Sequence, residues 1–171
     1  VNGLLIDVEA TGPHPLTYSM IQIGAADLEG NEFSCKMRPR PGTIADAGAM
    51  RAIGVTWEEA CEWPEPGQQI LLFKEFLTDT YGTKRIPSWS DNPAFDWQWI
   101  NTYLWAYTGG NPLGFSMRRI GDMYAGHKQD PYKSSAWKKL RDTKHTHDAL
   151  DDAKGNAEAL QKILQMMRQK R

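Results

Sequence analysis

A chain of 171 residues, 40% of them hydrophobic, is long enough to bury one core without staples, so a single domain spanning 1–171 is expected. Its 20 basic and 21 acidic residues exclude a strongly basic coat for duplex nucleic acid, though not a protein that meets nucleic acid locally. Cys35 and Cys61 form no CxxC pair and the LLI run is too short for a signal or membrane segment, so two free thiols and a cytoplasmic location, in a cell or the cell interior of a host, are expected.

In chain order, GLLIDVEA reads as a short buried strand that ends in the turn residues TGPHP. MIQIGAADLEGNEFSCKMRP follows as two strands either side of a Gly30-Asn31 turn. From Arg38 to Pro66 the text is irregular, with one short helix at TWEEA. GQQILLFKEFLTDTYG is a helix whose broad apolar face draws on Ile70, Leu71 or Phe73, Leu72, Phe76, Leu77 and Tyr81. KRIPSWSD is a short strand interrupted by Pro87, and NPAFDWQWINTYLWAYTGG is an aromatic-rich helix that stops at Gly109-Gly110. Shorter helical pieces lie at FSMRRIGDMYAG and SSAWKKLRD. The last helix carries an inward stripe of Ala149, Ala153, Asn156 or Ala157, Leu160, Ile163, Leu164 and Met167. An early hairpin is antiparallel and the strand after a helix can return parallel, so the order predicts an α/β domain with a mixed sheet.

Acidic residues recur at three places. Asp7 and Glu9 are two apart on a strand, so both side chains share one face. Two like charges held together raise each other's pKa unless a cation neutralises them, but a solvent-facing pair at a strand end has the same pattern. Asp96 falls in the first turn of the helix begun by Pro93, where the helix dipole alone accounts for an acid. Asp152 sits at the edge of the inward stripe of the last helix, and no lysine or arginine stands three or four positions from it. A carboxylate there needs a partner from elsewhere in the fold or a bound cation. Asp148 can cap this helix, His147 lies on the loop just before it, and His145 reads as a loop residue out of register with Asp152.

Together, DVEATG, NPAFD and HDALDDA resemble the three motifs of the DEDDh branch of the DnaQ-like 3′–5′ exonucleases, in the order Asp-x-Glu, Asp, His-x4-Asp. The tyrosine branch would place Tyr where Asp148 stands. The stretch from Trp137 to Ala159 further resembles small stand-alone bacterial and phage exonucleases, some of them acting on RNA.

The resemblance implies an RNase H-like fold, a mixed central β-sheet flanked by helices. It also implies two Mg²⁺ or Mn²⁺ ions held by Asp7, Glu9, Asp96 and Asp152, with Asp7 bridging, and His147 as general base. The implied reaction shortens single-stranded RNA or DNA from the 3′ end and releases nucleoside 5′-monophosphates. The backbone at Thr11 and Gly12 would approach the terminal 3′-hydroxyl, although Ala10 stands where the family often has a second Thr or another small residue.

Lys133, Lys138, Lys139, Arg141 and Lys144 could meet phosphates or form a solvated face. Trp97, Trp99, Tyr103, Trp105 and Tyr107 crowd one helix as core, as base-stacking rings or as a homodimer face. Two other functions remain consistent with the text: a catalytically silent nucleic-acid-binding module on the same fold, and an RNase H-type endonuclease. No membrane partner is expected.

Overall fold

A computed structural model describes residues 3–82 and 86–169. Lys84 and Arg85 of the expected strand KRIPSWSD lie outside the described residues. Five strands form one sheet in the order β3-β2-β1-β4-β5. β1 (Leu4–Ala10), β2 (Met20–Asp27) and β3 (Glu32–Lys36) are an antiparallel meander, while β4 (Ser88–Ser90) and the two-residue β5 (Arg118–Arg119) run parallel to β1. The helices are α1 (Ala47–Ile53), α2 (Trp57–Cys61), α3 (Pro66–Tyr81), α4 (Pro93–Thr108), α5 (Ile120–Lys128) and α6 (Ala149–Gln169), with 3₁₀ turns at Pro131–Lys133 and Ala136–Leu140. This is the expected α/β arrangement with a mixed sheet. Among the described residues no helix is long and apolar enough to cross a membrane.

The hairpin closes on a side chain as well as on its turn. The Asp27 carboxylate accepts the N–H of Glu29 and Asn31 at 2.8 and 2.9 Å, and the Tyr81 hydroxyl at 2.8 Å. Burial alone would raise its pKa; the bonds from Asn31, Tyr81 and Glu29 outweigh that and hold it below the usual carboxylate range.

Alternation along β1 divides the core. Leu4, Ile6, Val8 and Ala10 pack with Ile70, Phe73, Leu77, Trp99 and Tyr103 of α3 and α4, whereas Leu5 packs with Trp89, Trp137, Ala153, Leu160 and Ile163 on the α6 side. Asp7 and Glu9 share Leu5's parity, which turns them toward α6. On α3 the apolar face is narrower than the sequence suggests, because Leu71 and Leu72 are about half exposed. On α4, Trp99 and Tyr103 are core, Trp97 and Tyr107 are partly buried, and Trp105 is half exposed.

Gly24 of β2, paired across the sheet with Asp7, decides how near α6 comes. A Cβ there would lie 2.0 Å from the carbonyl of Ala149, so only glycine lets the start of α6 rest on β2. The buried Gln22 beside it accepts the Ala149 N–H at 3.5 Å. The start of α6, with Asp152 in its first turn and His147 on the loop just before it, is thereby set over Asp7 and Glu9.

The segment read as irregular contains a helix the sequence reading did not place, α1. Its start and stop were legible: Asp46 accepts the Ala49 N–H at 2.8 Å as N-cap, and Gly54 closes it with φ +74°. With α2 it covers Ile21 through Met50 and Ala60 in a small third cluster.

Candidate active site

Three elements deliver four acids. From β1, Asp7 and Glu9 meet Asp152 of α6, with donor atoms of all three within 4.8 Å of one another. Asp96 arrives from the first turn of α4, which Pro93 starts at a position where no N–H is needed. Where β4 ends at Ser90, the Val8 N–H of β1 is left without a strand partner and donates instead to Asp96 Oδ1 at 3.2 Å. That bond ties α4 to the strand carrying Asp7.

The cluster is short of positive charge. Burial, reinforced by Asp96, Glu9 and Asp152, holds the Asp7 carboxyl well above its usual range. Burial and the charges of Asp152, Asp96 and Asp148 push Glu9 up to about 8, and burial raises Asp96 to about 7 despite the Val8 N–H. Oxygen donors gathered at this density suit a hard divalent cation such as Mg²⁺ or Mn²⁺, so the residues present fit the metal that the motifs imply.

Asp152 is 1% exposed and already has partners. His145 Nδ1 lies 2.6 Å from Oδ1, Arg141 Nη1 lies 3.6 Å from the same oxygen, and the His147 N–H donates to Oδ2 at 3.2 Å. Two expectations are corrected here. His145 is not a bystander, because the loop before α6 folds its ring onto Asp152. Arg141 is neither solvated nor free for phosphate, because its buried guanidinium also donates to Asn156 Oδ1 and stacks over Trp137. Asp152 therefore has a protein cation beside it, which the helix-neighbour rule could not reveal since Arg141 lies before the helix.

Asp148 caps α6, accepting from the N–H of Leu150 and Asp151 at 3.1 and 3.3 Å. His147 stands in the left-handed region with φ +59°, an uncommon conformation outside glycine. Its Nδ1 is 3.7 Å from Glu9 Oε1, and the imidazole is 42% exposed.

A cleft of about 650 Å³ collects Asp7, Glu9, Asp96, His145, His147 and Gly12 on its walls, with Asp152 buried behind them. The opposite wall is α1, through Asp46, Ala49 and Ile53, which sequence reasoning missed together with Gly24 and the pairing of Arg141 with Asp152. Gly12 faces the cleft with the Tyr18 ring against it, where a Cβ would meet Tyr18 at 2.2 Å. Thr11 is fully buried, its hydroxyl donating to Ile44 O and accepting from Ser19 N–H at 2.9 Å each. Of the expected basic surface, Lys133 pairs with Asp130 at 3.4 Å and Lys138 with Asp91 at 2.5 Å. Cys35 and Cys61 are both free thiols, and burial pushes Cys35 up to about 12.

The family model for the 3′-5′ exoribonuclease Rv2179c-like domain matches residues 2–164. The 3′-5′ DNA exonuclease Cap18 of Escherichia coli is 30% identical over 175 residues, covering 97% of this chain and 93% of that one. Among solved structures, the nuclease domain of 3′hExo, a DEDDh family member bound to rAMP, superposes with TM-score 0.75 at 17% identity over 96% of this chain and 92% of its own. E. coli exonuclease I in complex with an oligonucleotide superposes with TM-score 0.75 at 17% identity over 99% of this chain and 42% of its own. These likenesses confirm the RNase H-like fold.

Proposed function

This chain belongs to the Rv2179c-like 3′-5′ exoribonuclease domain family, and from that premise we propose a divalent-metal-dependent enzyme that shortens single-stranded RNA or DNA from its 3′ end and releases nucleoside 5′-monophosphates. It is a 3′–5′ exonuclease of the DEDDh type, a hydrolase of phosphodiester bonds. The observation that carries the finer reading is the convergence of Asp7, Glu9, Asp96 and Asp152 from separate elements onto one cleft beside His147.

In this reading those four carboxylates would hold two Mg²⁺ or Mn²⁺ ions. Bound there, such ions supply Lewis-acid stabilisation of the phosphoryl oxygens and make the attacking water more acidic. The protein's own groups do the rest. His147, half exposed at the cleft mouth, takes the proton from the attacking water, and its Nδ1 faces Glu9, which orients the ring. Asp96 accepts the Val8 N–H, which ties the start of α4 to β1. Gly12 brings backbone to the wall of the cleft, where the terminal sugar can lie close to it, while Thr11 holds that turn from behind. A cleft that takes one splayed terminus favours single-stranded ends.

The names of its relatives point to both polymers: the family is described by an exoribonuclease, and Cap18 by a DNA exonuclease. A time course with matched 5′-labelled RNA and DNA oligonucleotides, in Mg²⁺ or Mn²⁺, tests the proposal. Ladders that shorten from the 3′ end and yield mononucleotides are expected. No mononucleotide from either polymer, or tight binding without degradation, refutes it and leaves the silent binding module. Cleavage of a 3′-blocked substrate would instead mark an endonuclease.

A further inference from the structure

Among the described residues one other set of metal-ligating side chains converges, and it differs in kind from the carboxylate cluster. His145, His147 and Asp152 bring donor atoms within 4.8 Å of one another. Two imidazoles and one carboxylate are a donor set that magnesium does not favour and that zinc does. The two rings already lie with centroids 4.2 Å apart, on the same side of the loop.

The three donor groups, within 4.8 Å of one another, can close on one ion by side-chain adjustment of the two histidines. Zinc takes nitrogen and oxygen ligands at about 2.0–2.2 Å, so neighbouring ligands of a tetrahedral ion stand roughly 3.3 Å apart. His145 Nδ1 and Asp152 Oδ1 are 2.6 Å apart as a hydrogen-bonded pair. Opening that separation by about 0.7 Å requires His145 to swing, and the ion would share Asp152 Oδ1 with Arg141, whose Nη1 lies 3.6 Å from it. Its side chain is 53% exposed on a loop, whereas Asp152 is fixed in α6. Glu9 Oε1 stands 3.7 Å from His147 Nδ1, and the negative field of the carboxylates favours any divalent ion entering there.

We infer that His145, His147 and Asp152 form a nitrogen-containing site for a borderline transition ion such as Zn²⁺, and that filling it switches off Mg²⁺-dependent hydrolysis. The inhibition follows because both functional groups are shared. A neutral His147 imidazole whose lone pair binds zinc carries its proton on the other nitrogen and so cannot accept the attacking water's proton at either, and Asp152 is drawn from the oxygen-donor set. The inhibitory half of this inference rests on the exonuclease reading; the binding half does not.

Co²⁺ is the direct probe, since four-coordinate cobalt with nitrogen ligands absorbs in the visible. Asp96→Asn cripples the oxygen-donor set and leaves the three proposed ligands intact. A Co²⁺ band that Zn²⁺ displaces is expected in Asp96→Asn. Its affinity should fall more than about tenfold when His145→Ala is added, since losing even a hydrogen-bonding support of a ligand costs that much. In the otherwise native chain with saturating Mg²⁺, His145→Ala should raise the half-inhibiting Zn²⁺ concentration by a similar factor, measured relative to that variant's own rate without zinc. His145→Phe keeps a ring against His147 without a donor and must give the same result, which guards against a disturbed loop. Equal Co²⁺ affinity with and without His145, or zinc inhibition that ignores both substitutions, overturns the inference and leaves zinc acting at the carboxylates. A native chain inactive with Mg²⁺ and Mn²⁺ would defeat the exonuclease reading alone, because the cobalt titration would still decide the site.

Discussion

Without metal, the folded protein should weaken as pH rises through neutrality, and divalent ions should restore it. Glu9 goes from an ordinary 4.5 to about 8 and Asp96 from 3.8 to about 7, so between those values the native state holds protons that the unfolded chain has released. Stability then falls with rising pH: the penalty is absent below the unfolded pKa values and complete above about 8. At about 1.4 kcal/mol per unit, Glu9 alone corresponds to roughly 5 kcal/mol and Asp96 to roughly 4, and because the groups interact the two do not add. Several kcal/mol is a large part of a domain's total, about 5–15 kcal/mol. The assay is urea unfolding with a chelator at about pH 5 and about pH 9, repeated with millimolar Mg²⁺, where linkage to a bound ion removes much of the difference. Glu9→Gln/Asp96→Asn should make the chelated curve shallower, since neither amide titrates, and leave the part that the buried Asp7 carboxyl contributes. Stability that stays level or rises from pH 5 to 9 in chelator, or a curve that Mg²⁺ does not change, would refute the reasoning that the cluster is built around missing positive charge.

Arg141→Met should destabilise the chelated protein by about 3–5 kcal/mol, as expected for breaking a buried ion pair, and by visibly less with Mg²⁺; equal losses in both urea titrations would count against a counter-charge role. Gly24→Ala drives a methyl into the Ala149 carbonyl, so a loss of about 1–3 kcal/mol and a fall in activity are expected, checked by thermal melts beside rate assays. His147→Gln should slow turnover by about 10²–10⁴-fold while calorimetry finds Mg²⁺ affinity largely retained. Calorimetry without nucleotide should find one tightly held divalent ion per chain, the second joining when a nucleoside 5′-monophosphate is present.

Much of the fold was legible because its signals are local. The LLI run before Asp7, the Gly30-Asn31 turn and the Pro93 to Gly109 bracket each act within a few residues, and β1, the β2–β3 hairpin and α4 fall where they indicate. The helix α1 escaped because AGAMRAI offers little apolar periodicity; its evidence is a cap at Asp46 and a stop at Gly54. β5 is two residues long, and its pairing with β4 is a property of the sheet that no window of sequence contains. Gly24 shows the same limit from another side. A glycine in a strand suggests close approach, but only the packed α6 tells what approaches.

The site was legible as a set of acids and incomplete as an electrostatic object. Sequence spacing correctly denied Asp152 a cation within its own helix and left open a partner from elsewhere in the fold; only the family resemblance turned that balance toward metal. The chain supplies one from Arg141, carried to Asp152 by the 3₁₀ turn at Ala136–Leu140 and by Gly155, where a Cβ would lie 3.2 Å from the arginine Cδ. Within the proposed metal cluster alone, four ionised carboxylates and one guanidinium leave a formal charge of −3. One divalent ion brings that to −1 and a second to +1, a charge that a single phosphodiester cancels. In the proposed two-ion arrangement, a nucleic-acid phosphate therefore favours full occupancy, and Arg141 shifts the balance in that direction. Without it the same ions would neutralise the acids completely, and no field would be left to draw the phosphate in.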